Sequence, residues 1–210
     1  MKNNLFIIAQ SGWSYILTSF ALFVFFTILD FDFFGFVAFF TTLFLLVIFR
    51  NPERELVSFE EDSILSPVDG VVSAITELDD SEYAYRVDIQ SGYLDVSLLR
   101  TPIYSHVQSI NLSNGSRLSK ASKHLETLNE NVEIIFEDKK NNKIKVKHTL
   151  TQSFAPLMID IIKSQTLLKS SRYGVMLSGV TSIYLPSNVR VNVNLANEVK
   201  ASQTLIGFFS

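Results

Sequence analysis

The sequence predicts an N-terminal transmembrane helical hairpin over residues 1–50, followed by a mainly β (α+β) single domain over 51–210. Three observations carry this. Of the 18 Lys and Arg and 21 Asp and Glu, only Lys2, Asp30, Asp32 and Arg50 lie in the first fifty positions. Those fifty positions hold two long uncharged runs separated by Asp30-Phe31-Asp32. After Arg50 the pattern changes to short runs that alternate apolar and polar residues, with turn residues between them.

The first uncharged run extends from Leu5 to Leu29, 25 residues, and the second from Phe33 to Phe49, 17 residues. A hydrocarbon core of ~30 Å takes roughly 17 to 25 apolar residues at 1.5 Å rise. The first run therefore spans with room for tilt and the second stands at the lower limit. Backbone amides in lipid must be satisfied internally, so both are expected to be helical despite their many Phe and Val. Asp30-Phe31-Asp32 is then the tip of the hairpin. A cleaved signal peptide would need a shorter run and a small-residue cleavage site. A soluble core would need a polar face, which 13 Phe in fifty residues do not leave. A hairpin that dips into one leaflet is the remaining alternative. Lys2 before the hairpin, and Arg50 and Arg54 after it, place both ends in the cytoplasm by the positive-inside tendency. The expected location is the bacterial inner membrane, with the soluble domain on the cytoplasmic side.

In the remainder, Tyr83–Ile89 alternates with period two. Val132–Glu137 and Lys143–His148 flank the polar stretch Asp138-Lys-Lys-Asn-Asn142, a hairpin signal. Val189–Leu195 is the cleanest alternation of the chain. Phe154, Leu157, Met158, Ile161 and Ile162 recur at helical spacing, which predicts one or two short helices within 152–169.

The composition excludes several chemistries. With no cysteine, there are no disulfides, thiolate metal sites or Cys nucleophile. A net charge of −3 gives no basic excess for nucleic acid. His106, His124 and His148 lack metal-ligand spacing and are read as surface residues of strands or loops, so no metal is expected. Arg117, Lys120, Lys123, Lys139, Lys140, Lys143, Lys145 and Lys147 are interleaved with acids and read as a solvated hairpin face. Their sharper reading is a surface toward anionic lipid headgroups. No dinucleotide fingerprint, P-loop or nucleophile elbow is present.

Three stretches are more informative: Phe49-Arg-Asn-Pro-Glu-Arg54, Ser66-Pro-Val-Asp-Gly70, and Tyr173-Gly-Val-Met-Leu-Ser-Gly-Val-Thr-Ser-Ile-Tyr-Leu-Pro186. A Pro-x-Asp-Gly turn is common by itself. The order and spacing of all three behind a double hydrophobic run are not. In these the chain resembles the short, membrane-bound bacterial phosphatidylserine decarboxylases. Those proteins carry a hydrophobic hairpin, F-R-N-P-x-R, S-P-x-D-G and a C-terminal G-x-I-x-F-G-S-R-x-D-x-Y-L-P. The resemblance implies a β-rich domain of phosphatidylserine decarboxylase type and a place in phosphatidylethanolamine biosynthesis. It also implies a proenzyme that cuts itself between Gly and Ser, leaving a pyruvoyl group that decarboxylates phosphatidylserine.

The resemblance also implies roles for individual residues. Asp69 matches the Asp that orients the self-cleavage base. Val96-Ser-Leu-Leu-Arg-Thr-Pro102 matches V-H-V-N-R-x-P, so Arg100 is the substrate-binding candidate, while the family His is Ser97 here. The paired Arg expected on the central strand fall near Ile159, Asp160 and Ile161. Aligned backwards from Tyr184-Leu-Pro186, the signature puts Ser178 where Gly belongs and Gly179 where Ser belongs. Ser178 serves as nucleophile only after a one-residue slip, with cleavage at Leu177–Ser178 and His106 as base. Losing general-base help removes about 10²- to 10⁴-fold. The expectation is a decarboxylase-like protein with an impaired or inactive centre, binding membrane phospholipid, with the self-derived pyruvoyl as cofactor only if active. The alternative is a non-catalytic, membrane-anchored lipid- or partner-binding relative. Self-association or assembly with a second chain stays open. A carrier-type β domain, suggested by Pro67-x-Asp-Gly70, lacks the His or Lys such modules modify.

Overall fold

A computed structural model describes residues 7–54, 59–80 and 82–210. Lys2, one of the residues behind the orientation expectation, lies outside them. The chain divides into two compact units, Met1–Glu53 and Arg54–Ser210.

The first unit is a helical hairpin. A 3₁₀ turn, Gln10–Gly12, leads into α1, Trp13–Ile28, and α2 follows at Asp32–Ile48. At the tip Asp30 takes φ 55°, a left-handed conformation that a short polar side chain tolerates and that ends the first helix. Asp32 sits in the first turn of α2, where its charge suits the positive end of the helix dipole. Between the helices, Thr42 donates to Ser19 Oγ at 2.9 Å, and Ser19 donates to the Ala38 carbonyl at 3.3 Å. Buried Gly35 and Ala38 let the backbones approach. The other faces carry exposed Phe, with Phe33 72% and Phe36 63% accessible, a surface suited to lipid rather than water. Gln10–Ile28, 19 residues, is long and apolar enough to cross a membrane, whereas Asp32–Ile48 is shorter.

The second unit is mainly β. In chain order its strands are β1 Ser63–Leu65, β2 Gly70–Glu77, β3 Tyr85–Ser91, β4 Leu98–Arg100, β5 Ser105–Ser113, β6 Asn131–Glu137 and β7 Lys143–Leu150. There follow β8 Met158–Ile159, β9 Thr166–Leu167, β10 Arg172–Val175, β11 Gly179–Leu185, β12 Val189–Val191, β13 Glu198–Val199 and β14 Leu205–Phe209. A single helical turn, α3 Leu125–Leu128, lies between β5 and β6. An eight-stranded sheet has the order β13-β2-β3-β11-β7-β6-β5-β9, and two three-stranded sheets are β1-β14-β12 and β4-β10-β8.

Period-two patterning builds the large sheet. Val132, Ile134 and Phe136 of β6, Ile144, Val146 and Leu150 of β7, and Ile183 and Leu185 of β11 are all fully buried on one face. Each such side chain contributes about 1.5–3 kcal/mol of burial. The Asp138–Asn142 turn joins β6 to β7 as its composition requires. Asp138 Oδ1 accepts from the backbone N–H of Lys140 and of Asn142.

Three expectations need correction. The helices expected within 152–169 are absent among the described residues, which form β8 and β9 instead. Ile161 is 7% accessible and its neighbour Ile162 73%, so the apolar spacing does not make one helical face. Positive φ at Gln152 and Ser164 breaks any helical run. The alternation over Val189–Leu195 yields a strand only to Val191. There Asn194 N–H bonds Asn197 Oδ1 at 2.8 Å and Ala196 takes φ 64°, so Asn turn chemistry overrides the pattern. His148 is a core residue, not a surface one.

Candidate active site

Three sequence-distant segments meet at one end of the large sheet. The Ser66–Gly70 turn enters β2 through Gly70, whose φ of +152° and close approach to the Gln90 carbonyl admit no side chain. Ser91, the last residue of β3, donates its hydroxyl to the Asp69 carbonyl at 2.5 Å. Across β3 and β11, Ser91 pairs with Gly179, the residue after Ser178. From the other side, Met176 N–H bonds the Ser97 carbonyl at 2.8 Å, and Val175 pairs with Leu98. Asp69, Ser97 and Ser178 are thereby gathered around the 176–179 turn.

The Asp69 side chain is committed elsewhere. Arg54 Nη2 donates to Oδ2, and the Ala201 N–H donates to Oδ1 at 2.8 Å. Arg54 Nη1 also reaches the Ala201 carbonyl at 2.7 Å. With side chains 7% and 12% accessible, Arg54 and Asp69 form a buried pair that ties the turn to the C-terminal segment. In the sequence Arg54 stands out only as part of the Phe49–Arg54 motif, and its partnership with Asp69 has no signal in sequence spacing.

Ser178 is half-buried. Its hydroxyl lies 3.4 Å from Thr151 Oγ1, and its carbonyl accepts the Thr151 N–H at 3.1 Å. Among the described residues no titratable side chain hydrogen-bonds the Ser178 hydroxyl. Thr151 is a second residue that sequence reasoning missed. Period-two counting from Lys147 and Thr149 would have put it on the Ser178 face. Gly179 is tightly enclosed: a Cβ there would stand 2.5 Å from the Thr149 carbonyl oxygen and 2.6 Å from Met176 Sδ.

Arg100 is close to the turn through its backbone, its N–H bonding the Pro67 carbonyl at 2.9 Å. Its side chain is 4% accessible, and Nη1 donates to the Ser170 carbonyl at 3.4 Å. His106 is not brought to Ser178. It pairs with Glu137 at the end of β5 where β6 meets Lys143, three strands from β11, and Nε2 lies 3.2 Å from Glu137 Oε2. Ser178 adjoins the opposite end, beside Leu150 and Thr151.

His148 sits on the core face, with Nδ1 2.8 Å from Thr181 Oγ1 and Nε2 2.5 Å from Tyr173 Oη. Burial pushes the imidazole down to about 3 and the Tyr173 phenol well above its usual range, so both are neutral. The three side chains join β7, β11 and β10 behind the 176–179 turn.

Two loops rim this end. Tyr93 stacks on Phe154 at 5.8 Å and 3°, donates to the Gln152 carbonyl and accepts from the Phe154 N–H. Among the described residues no group of His and carboxylates could hold a metal ion.

The family model described as phosphatidylserine decarboxylase matches residues 41–207. The chain is 28% identical over 182 residues to the phosphatidylserine decarboxylase proenzyme of Wolbachia sp. subsp. Brugia malayi, covering 82% of this chain and 79% of that one. It is 29% identical over 180 residues to the proenzyme of Carboxydothermus hydrogenoformans, covering 82% and 83%. Against the proenzyme of Rickettsia akari it is 26% identical over 217 aligned positions, covering 99% and 93%. The turn at Asp69, the segment at Ser97 that enters β4 and the β11 junction all fall within the matched region, and the chain belongs to the phosphatidylserine decarboxylase family.

Proposed function

We propose that this chain is a membrane-associated phosphatidylserine decarboxylase-type protein of phospholipid metabolism whose self-cleaving centre is impaired or inactive. The observation that carries this reading is the surroundings of the Ser178 hydroxyl, which meets Thr151 and no titratable group among the described residues. Self-cleavage requires a hydroxyl beside the scissile carbonyl and a base to take its proton. Asp69 has both carboxylate oxygens engaged by Arg54 and Ala201, Ser97 offers no base near neutral pH, and His106 lies at the far end of the sheet. The residues at Ser178 therefore do not fit a pyruvoyl group made there by base-assisted attack.

The alternative within the family is a non-catalytic membrane-anchored relative that binds lipid or a partner. The apolar hairpin and the family's lipid chemistry support attachment to the bacterial inner membrane. Arg50 after the hairpin supports a cytoplasmic domain. Decarboxylation decides the matter. Purified chain in detergent with carboxyl-labelled phosphatidylserine is expected to release no labelled carbon dioxide above a no-protein control. Release that hydroxylamine or cyanoborohydride blocks would overturn the reading.

A further inference from the structure

The outward face of β3, β11 and β7 floors a cavity of about 310 Å³, and the connection from β5 to β6 supplies its other wall. Register sets the floor: Ser182 lies between Asp88 and Lys147, and Val180 between Gln90 and Thr149. Ser182 is only 8% accessible, although its parity puts it opposite the core residues Thr181 and Ile183. Ala121, Leu125 and Glu126 of the connection line the space it faces.

That connection has the build of an Ω-loop, with its ends drawn together at a neck. Ser116 N–H bonds the Leu128 carbonyl at 2.7 Å, and Glu130 N–H bonds the Ser116 carbonyl at 2.8 Å. Arg117 fastens the neck to Glu130 and to the Ser153 carbonyl. Beyond the neck the attachment is thin. No residue from Leu118 to Leu128 is buried. The backbone bonds over this stretch are internal, as from Leu128 N–H to the His124 carbonyl at 2.9 Å. Among the described residues, the one polar bond from 119–127 to the sheet is Arg86 Nη2 to Glu126 Oε1, at 2.8 Å. When this bond parts, Arg86 keeps Nε and Nη2 on Asp88, and Glu126, whose side chain is 62% accessible, returns to water. Neither charge is stranded, so opening carries no buried-charge penalty.

We propose that residues 118–128 form a lid, hinged at the Ser116–Glu130 neck and latched by Arg86–Glu126, that gates access to the outward face of β11. Few buried side chains and a single exposed ion pair are the marks of a segment that opens locally while the sheet stays intact. The lid is rooted beside Ser178. Gln152 N–H bonds the Arg117 carbonyl at 3.1 Å, and the preceding residue, Thr151, has its hydroxyl 3.4 Å from Ser178 Oγ. The device is independent of whether Ser178 reacts, so it stands or falls apart from the impaired-centre reading.

The chain has no cysteine, so a single introduced thiol reports the opening. Ser182→Cys, in the full chain in detergent, is reacted with N-ethylmaleimide, and rates are compared per thiolate from their pH profiles. Ser187→Cys, at an exposed position, is the open reference. The thiol at position 182 is expected to react about tenfold or more slowly than the reference. Adding Glu126→Gln is expected to raise its rate about two- to fivefold, the range that loss of one exposed ion pair allows. Raising the salt from about 0.1 M to about 1 M is expected to speed the chain that keeps Glu126 and to leave the Glu126→Gln chain unchanged. Low urea is expected to change neither rate, since a local opening exposes little surface. If Ser182→Cys fails to fold, Thr149→Cys on the same floor takes its place. A position-182 thiol as reactive as the reference, a rate unmoved by Glu126→Gln, or a salt effect equal in both chains would each overturn the proposal. So would a rate that climbs with urea as global unfolding does.

Discussion

Ser91 and Gly179 face each other across β3 and β11, and the Ser91 hydroxyl reaches the Asp69 carbonyl at 2.5 Å. One side chain thereby connects the Pro-Val-Asp-Gly turn to the start of the strand that follows Ser178, although 22 residues separate Asp69 from Ser91. The segments of the family signature are held together by the β-ladder and its hydroxyls. That framework persists whether or not the chemistry does.

The buried Arg54–Asp69 pair should be a stability element. Arg54→Ala leaves the Asp69 carboxylate buried beside the Ala201 amide with its charge uncompensated. The expected loss is about 3–5 kcal/mol in urea unfolding of the detergent-solubilised protein. A loss below about 1 kcal/mol would mean that the pair is solvated and ties nothing.

Restoring a Gly-Ser order by the double change Ser178→Gly and Gly179→Ser should not restore cleavage. The new Cβ at 179 meets the Thr149 carbonyl oxygen, which belongs to the β7 ladder and cannot step aside as a flexible side chain would. The expected result is a destabilisation of about 1–3 kcal/mol, as for other overpacked positions, and a single band on a denaturing gel. Two bands would show that the junction only lacked its residue order.

His148 gives the fold an acid-sensitive component. The native imidazole stays neutral until about pH 3, while in the unfolded chain it protonates near 6.5. Between these values the unfolded state binds more protons, so stability falls as pH falls and is fully present above about 6.5. The slope approaches roughly 1.4 kcal/mol per pH unit. Carboxylates contribute to acid unfolding as well, so the measurement is a difference. Urea midpoints of wild type and His148→Gln at pH 7, 6 and 5 should converge on acidification. A constant gap between them would contradict the buried neutral imidazole.

Much of this molecule was legible beforehand. Charge depletion before Arg50 announced the hairpin, and the hairpin signal at Asp138–Asn142 was obeyed because β6 and β7 alternate cleanly on both sides of it. The 152–169 region misled because its apolar spacing mixes residues of different surroundings: Leu157 and Ile161 face the core, whereas Phe154 and Ile162 face outward. His148 was missed because an imidazole among Lys143, Lys145 and Lys147 looks like part of a polar strand. Its parity in the strand matches Ile144, Val146 and Leu150, not the lysines. Asp69 was recognised, but sequence could not reveal that Arg54, 15 residues earlier, and the Ala201 amide occupy its carboxylate. Such long-range satisfaction is set by tertiary packing, which leaves no periodic trace.

Under the proposed reading, the Ser178 hydroxyl does not cut its own chain. Intact-mass spectrometry of protein purified from membranes reads this directly. The expected result is one species with the mass of all 210 residues, 23.7 kDa. Two chains, the smaller beginning at position 178 or 179 with a pyruvoyl-blocked terminus, would contradict it.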